Sequence, residues 1–309
     1  MAIEADANSI LAGMTSLGLP PIGAVSAAEM RALRAAKAPR PAPGPDMAEV
    51  VDLAIPAPHG SIPARLYRPQ GHAARLIVFF HGGGWTFGGI APSDAPARRL
   101  AEGTASCVLS IDYRLAPEHP FPAAVDDAFT ATLWAFESRE RLAGESATVL
   151  VAGESAGANL SAVVAQAARG SAVDLAAQIL LCPCVTAEIE TPFTTTFESP
   201  FLNLNEIRWF FDQYVPAQKD RSDPRFAPGS AADLAGLPAT FIATAEYDLM
   251  REQGEAYADR LQNAGVALTA QRYTGAFHGI FELAGTTRQG LNLLEDLGAF
   301  VSGLTAPGS

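Results

Sequence analysis

"VLVAGESAGANLSAVVAQAA", residues 149–168, decides the fold of this chain. Val149–Ala152 is a short apolar run with strand composition, and Ala158–Ala168 has the composition of a helix. Between them stand Gly153, Glu154, Ser155, Ala156 and Gly157. A strand that passes into a helix through so short a turn leaves no room for side chains two residues either side of its apex, where the glycines stand. A loop that only changed direction has no need of the serine at that apex. The turn lifts a hydroxyl clear of the sheet and sets it at the positive end of the helix, so the pattern points to a nucleophile.

The surrounding runs are continuous rather than alternating: "RLIVFF" (75–80), "CVLSID" (107–112), "TVLVAG" (148–153), "AQILLC" (177–182) and "TFIATA" (240–245). Continuous apolar runs suit strands covered on both faces of a parallel sheet. Helical patterns fall between them, at about 92–103, 122–142, 155–169 and 251–264. This alternation predicts a doubly wound α/β sheet. "VALTAQRY" (266–273) is its expected last strand and "GLNLLEDLGAFVSG" (290–303) its closing helix. Ahead of the sheet, "AEVVDLAI" and "IPARLYR" flank the turn "PAPHGS" and predict an antiparallel hairpin. Earlier still, "AAEMRALRAAK" (27–37) belongs to a mostly helical arm, joined to the rest by the proline-rich linker "APRPAPGPD" (38–46). "FLNLNEIRWFFDQYVP" (201–216) is an aromatic amphipathic helix that no strand follows, in a stretch, 186–222, that breaks the alternation. With the arm, it is expected to form a cap over the carboxyl ends of the strands, where open α/β sheets bind ligands.

Bulk properties exclude several classes. Across 309 residues, 49% are apolar and 17% charged, which suits a globular core and not disorder. No apolar run is long enough to cross a bilayer. The net charge of −12 argues against nucleic acid as a partner, since basic patches are its usual footprint. No Lys or Arg precedes Arg31, so no secretory signal is expected. Cys107, Cys182 and Cys184 are expected to be reduced and buried, as in a cytoplasmic protein. "CPC" is too tight for an ordinary disulfide and lacks a nearby histidine for a metal.

A serine hydroxyl needs a base to take its proton. Of the five histidines, His59 and His72 sit in turns before the core strands, and His81 opens the glycine run "HGGGW". His119 lies in the proline-rich "APEHPFPAA". His278, in "YTGAFHGIF", directly follows the expected last strand and therefore stands at the end of the sheet that holds the serine. It is the first choice for the base, and His119 the second. The base needs an acid to hold its tautomer, and enzymes with a serine on such a turn order the three as serine, acid, histidine. "TFIATAEYDLMRE" offers Glu246 and Asp248, and both satisfy that order. Asp248 is further from the strand end and freer to reach across; Glu246 suits a structural hydrogen bond. Attack on a carbonyl also builds negative charge on oxygen. "FFHGGGWTFGG" (79–89) follows a strand directly, and its glycines let backbone N–H groups approach a ligand. Ala156, after the serine, adds another N–H. No lysine stands in a P-loop position and no G-x-G-x-x-G precedes a helix, so phosphate cradling is not expected. His81 is expected to fix the glycine loop by hydrogen bonds.

"HGGGW", "DYRLAPEHPFPAA", "GESAG", "AEYDLMREQGEAYADRL" and "FHGIF", in this order, resemble the hormone-sensitive-lipase family of bacterial esterases, from about residue 45 to the end. In the cap only "DPRFAP" and the aromatic helix look similar. The resemblance implies an α/β-hydrolase fold with a mostly parallel sheet of about eight strands and a helical cap, carboxylesterase activity on short- to medium-chain esters, and no cofactor. By motif, Ser155 is the implied nucleophile, His278 the base and Asp248 the acid, with Gly83, Gly84 and Ala156 as the oxyanion hole. The implied divisions are an arm at 1–45, a cap segment at 186–222, and a catalytic unit at 46–185 and 223–309. A homodimer paired through an edge strand is also implied. The sequence departs from the family twice: Glu154 stands where Asp is common, and Leu249 where Pro usually follows the acid. Trp85, Phe87, Phe201, Phe210, Phe211, Ile280 and Phe281 are candidates to line an apolar substrate pocket. A ligand receptor on the same scaffold would be expected to have a broken triad, whereas Ser155, Asp248 and His278 are all present. Amide hydrolysis and acyl transfer share the same acyl-enzyme. Interfacial lipase action is not expected, because no basic amphipathic helix is present to hold a lipid surface.

Overall fold

A computed structural model describes residues 3–37, 43–71 and 73–304. His72 and residues 38–42 of the expected linker lie outside the described residues. In chain order the elements are α1 (Ala5–Ser16), α2 (Ala27–Lys37), β1 (Glu49–Ala57), β2 (Gly60–Arg68), β3 (Arg75–Phe80), α3 (Asp94–Thr104), β4 (Cys107–Ile111), α4 (Ala123–Glu137) and α5 (Arg139–Ala143). They continue with β5 (Thr148–Glu154), α6 (Ala156–Ala168), β6 (Leu175–Leu181), α7 (Leu204–Tyr214), β7 (Ala239–Tyr247), α8 (Arg251–Asn263), β8 (Leu268–Phe277) and α9 (Arg288–Gly303).

The strands form one sheet of eight in the order β1-β2-β4-β3-β5-β6-β7-β8. β1 and β2 form the expected hairpin, paired from Glu49↔Arg68 to Ala57↔Gly60, and β2 runs antiparallel to β4. Every later pairing is parallel. The continuous apolar runs are explained by cover on both faces. In β3, Leu76, Val78 and Phe80 face the layer that includes α4, α6 and α8. Ile77 and Phe79 face α3 and α9 instead.

Two boundaries differ from expectation. The helix expected over 122–142 is two helices, α4 and α5, parted at Ser138. The last strand runs four residues further, to Phe277, because its pairing with β7 shifts register near the end and resumes at Tyr247↔Phe277. That extension delivers the chain directly to His278.

A helical cap covers the sheet, and α1, α2 and α7 all contribute residues to the cavity beside Ser155. α2 is fastened by Arg31, whose Nη1 donates to the Thr86 carbonyl at 3.0 Å and the Ala116 carbonyl at 3.2 Å, and which also pairs with Glu118. α1 is tied to the start of α9, where Arg288 N–H donates to Asp6 Oδ2 at 2.8 Å. α7 begins with a capping box: Asn203 Oδ1 accepts from Glu206 N–H at 3.1 Å, and Glu206 Oε2 accepts from Asn203 N–H at 2.9 Å. Its last residue, Tyr214, stacks on Trp85 with ring centroids 4.7 Å apart and planes 8° apart.

Tyr214 is fully buried, and its hydroxyl has no hydrogen-bond partner among the described residues. Removing that hydroxyl takes away an unmet polar group and keeps the ring. Tyr214→Phe is therefore expected to leave the unfolding free energy unchanged or raise it by up to about 1 kcal/mol. Tyr214→Ala is expected to lower it by about 3–5 kcal/mol. Urea denaturation of the two variants checks both; a large loss in the Phe variant would show that the hydroxyl is bonded.

Candidate active site

The turn after β5 has the shape its sequence demands. Ser155 has φ +55° and ψ −114°, a conformation that costs a non-glycine residue about 1–3 kcal/mol. Its N–H donates to the Leu181 carbonyl at 2.8 Å, which anchors the apex to the end of β6. A Cβ on Gly157 would stand under 3.0 Å from the Phe80 carbonyl oxygen, so α6 can approach β3 only with glycine there.

Three chain segments converge at this apex. Ser155 follows β5, Asp248 follows β7 and His278 follows β8. His278 Nδ1 lies 2.8 Å from Asp248 Oδ2, and His278 Nε2 lies 2.9 Å from Ser155 Oγ. A carboxylate oxygen accepts, so Nδ1 carries the proton and Nε2 is left to accept from the serine hydroxyl. Asp248 is fully buried, and its Oδ1 accepts from Met250 N–H at 2.8 Å. Burial by itself would lower the His278 pKa. The charge of Asp248 and its hydrogen bond, with Glu154 and Glu282 nearby, outweigh burial and raise it above its ordinary 6.5.

The other acids and histidines fall elsewhere. Glu246 Oε2 accepts from Gly275 N–H at 2.8 Å, the structural bond expected of it. His59, in its turn, has Nε2 3.5 Å from Asp127 Oδ1. His119 takes no part in the cluster; its N–H donates to the Leu115 carbonyl. His81 is buried, which depresses its pKa to about 4 and keeps it neutral. Its Nδ1–H donates to the Gly82 carbonyl at 2.8 Å, and its ring stacks on Tyr113. It thus braces the glycine loop. That loop closes on itself through Gly83, whose carbonyl accepts from Phe87 N–H at 2.8 Å. Gly84 has φ +60°, and a Cβ there would run into the Phe210 ring.

A cavity of about 410 Å³ opens onto Ser155 and His278, with Gly83, Gly84 and Ala156 in its wall. Trp85, Phe87, Phe201, Phe210 and Phe211 line it, as expected. Ile280 and Phe281 do not. Both are buried in the layer between the sheet and α3 and α9, while Gly279 and Glu282 on either side of them line the cavity. Three charged residues in the wall had no sequence signal: Arg34 on α2, Glu206 on α7 and Glu282 after the histidine. The roof also uses Leu11 and Met14 of α1.

Among the described residues, one group has its donor atoms close enough to suit a metal: Cys182, Asp248 and His278, within 4.8 Å of one another. There the imidazole and carboxylate are already bonded together, and burial raises the thiol pKa well above its ordinary value. A protonated thiol beside a closed pair is a poor ligand set.

Glu154 supports the turn from below. It is buried, and its Oε1 accepts from Phe281 N–H at 2.9 Å. Burial, reinforced by the neighbouring Glu282, pushes its pKa up to about 8. Burial raises Glu282 as well, against the charge of Arg34. An acid raised on folding binds protons more tightly in the folded state. Its stabilising contribution is therefore complete below its unfolded value, near 4.5, and is lost as pH rises towards about 8. Glu154→Gln keeps an acceptor for Phe281 and removes that titration. Its unfolding free energy is expected to fall less than the wild type's between those two pH values, as chemical denaturation across the range will show. Parallel curves would mean that Glu154 stays charged throughout.

Comparison with known proteins gives this arrangement a family. Residues 77–282 match the model of a family described as having the alpha/beta hydrolase fold. The chain is 42% identical over 301 residues to the carboxylic ester hydrolase LipN of Mycobacterium tuberculosis, covering 93% of this chain and 78% of that protein. It is 36% identical over 250 residues to an arylesterase of Saccharolobus solfataricus, covering 80% and 82%. Among solved structures, an ester hydrolase from the Lake Arreo metagenome superposes with a TM-score of 0.89 at 36% identity, covering 97% of this chain and 98% of that one. The hyperthermophilic esterase of Pyrobaculum calidifontis superposes with a TM-score of 0.87 at 32% identity, covering 97% and 98%. A mostly parallel eight-stranded sheet, a serine at a strained strand-to-helix turn and these relatives agree: the chain belongs to the α/β-hydrolase-fold family, among the esterases related to the bacterial hormone-sensitive-lipase group.

Proposed function

We propose that the chain is a carboxylesterase that hydrolyses short- to medium-chain esters through a serine acyl-enzyme. The observation that carries this reading is His278, set 2.9 Å from Ser155 Oγ on one side and 2.8 Å from Asp248 on the other. His278 Nε2 takes the proton as Ser155 Oγ attacks the ester carbonyl, and Asp248 stabilises the imidazolium that forms. Backbone N–H groups of Gly83, Gly84 and Ala156 stabilise the oxyanion. Collapse of the tetrahedral intermediate breaks the bond to the alkoxy group, which leaves as the alcohol with the proton from His278. Water then repeats the two steps on the acyl-enzyme and frees the acid and Ser155. No cofactor enters this cycle.

The cavity of about 410 Å³, with aromatic rings in its wall, suits a substrate of modest size. Residues 1–45 and 186–222 serve as cap, and 46–185 with 223–309 as the catalytic unit. No described helix is long and apolar enough to cross a membrane. Three free, buried cysteines support a reducing, cytoplasmic setting. β8 is an edge strand with Thr269–Arg272 exposed, which supports a homodimer paired along that edge.

Hydrolysis of p-nitrophenyl esters from acetate to palmitate, beside Ser155→Ala, tests the activity. Turnover is expected to peak at short to medium acyl chains and to fall by about 10⁶ in the variant, with the fold retained by circular dichroism. Activity that survives the substitution would remove Ser155 from the mechanism, and a well-folded wild type that turns over no ester would favour a ligand receptor. Light scattering after size exclusion is expected to give twice the chain's 32.3 kDa; a single-chain mass would refute pairing through β8.

A further inference from the structure

Glu282 is set apart from its neighbours in the loop after His278. Ile280 and Phe281 are buried in the opposite layer, whereas the Glu282 side chain is exposed and lines the cavity beside Ser155. The backbone before it is held from two directions. Phe281 N–H donates to Glu154 Oε1 at 2.9 Å, and the Phe281 carbonyl accepts from Ala284 N–H at 2.8 Å. The carboxyl group stands near the serine end of the cavity. A Cβ on Gly82 would lie 3.8 Å from Glu282 Oε1 and 3.8 Å from Ser155 Cβ, so carboxyl and serine border the same glycine. Among the described residues, the Glu282 carboxyl makes no hydrogen bond or ion pair. The other exposed-side carboxyl in the wall differs, since Glu206 Oε2 is taken by Asn203 N–H in the capping box of α7. Solvent can meet Glu282 until a substrate fills the cavity. A methyl or methylene group that then lies against it leaves the carboxyl unmet, at a cost in binding.

We propose that Glu282 is a specificity-determining residue that accepts a hydrogen bond from a hydroxyl group on the ester substrate, close to the reacting carbonyl. A site with a polar group placed to bond a substrate hydroxyl discriminates against the analogue that lacks it. The choice of a neutral donor follows from what else stands in the wall. Arg34 lines the same cavity, with its Cζ 4.6 Å from the Phe87 ring centroid, and a guanidinium keeps its charge. A substrate ammonium would gain from Glu282 and lose against Arg34. A substrate carboxylate would gain from Arg34 and lose against Glu282 and Glu206. A hydroxyl meets neither opposition. It also suits Glu282 in both protonation states: a carboxylate accepts through either oxygen, and the neutral acid still accepts through its carbonyl oxygen.

The inference rests on the esterase reading, and the experiment separates the two. Specificity constants are measured for two pairs of esters in which a hydroxyl replaces a methyl group. Methyl 3-hydroxybutyrate against methyl 3-methylbutyrate probes the acyl side, and 2-hydroxyethyl butyrate against propyl butyrate the alcohol side, with p-nitrophenyl acetate alongside. The wild type is expected to favour the hydroxyl ester in at least one pair. Glu282→Met, apolar and of similar reach, is expected to lower that ratio by about tenfold. Glu282→Gln, whose amide oxygen still accepts, is expected to keep most of it. Each ratio is internal to one protein, so a general loss of activity cancels from it; Glu282→Ala serves the same comparison where the Met variant does not fold. A wild type that favours the hydroxyl ester in neither pair, or a ratio unchanged in the apolar variant, overturns the role of Glu282. Hydrolysis of p-nitrophenyl acetate then leaves the esterase reading standing. A preference for 2-(dimethylammonio)ethyl butyrate over 2-hydroxyethyl butyrate that is lost in Glu282→Gln also overturns the proposal, because the site would then read charge. Failure of the wild type on all of these esters overturns both.

Discussion

The closeness of α6 to β3 is the constraint on which the rest depends. The helix begins against the carbonyl of Phe80, at a distance that excludes any side chain on Gly157. That approach leaves the backbone at Ser155 one way to turn, with φ at +55°. The strain is local, and it is held by bonds that the whole sheet supplies: the Ser155 N–H on Leu181 and the carboxyl of Glu154 on Phe281. The second of these joins the turn to the loop that carries His278. Ser155 and His278 are thus placed by one connected piece of backbone, which explains how a serine and a histidine 123 residues apart meet at hydrogen-bond distance.

The same loop gives the site its unusual charge. Asp248 and Glu154 are buried beside one imidazole, and the exposed Glu282 adds its charge to theirs. Two buried negative charges with a third beside them are costly. The structure resolves the conflict by division: Asp248 takes a hydrogen bond from the imidazole and another from Met250, while Glu154 and Glu282 are pushed towards their neutral forms. Glu154, the longer acid where Asp is common in the related esterases, spends its extra methylene reaching Phe281 N–H.

Much of this was legible in the sequence, for a physical reason. Strands covered on both faces must be apolar throughout, so "RLIVFF" and "TVLVAG" could be placed almost to the residue. A turn that tolerates nothing but glycine at two positions announces itself, and His278 followed from its place after the last strand. Less visible were features decided by packing between distant segments. Ile280, two residues from His278, was expected in the pocket and lies in the opposite layer, since local sequence does not say where a loop turns over the sheet edge. Arg34 had no mark at all. In "AAEMRALRAAK" it resembles any basic residue on a helix face, and only the docking of α2 over the glycine loop places it in the cavity wall. The last turns of β8 were missed because the strand's middle is exposed at the sheet edge, where apolar patterning fades.

The bond between Asp6 and the start of α9 has a consequence for how the enzyme comes into being. Synthesis delivers α1 before α9, so α1 lacks this mooring until the start of α9 has emerged, whereas α2 can dock on Thr86 and Ala116 much earlier. His278 arrives barely ahead of that mooring. During synthesis the turn at Ser155 can form while His278 is still inside the exit tunnel, and a nascent chain in that condition has a hydroxyl without its imidazole partner. A chain interrupted between Ser155 and His278 therefore carries the strained turn without the imidazole that meets it.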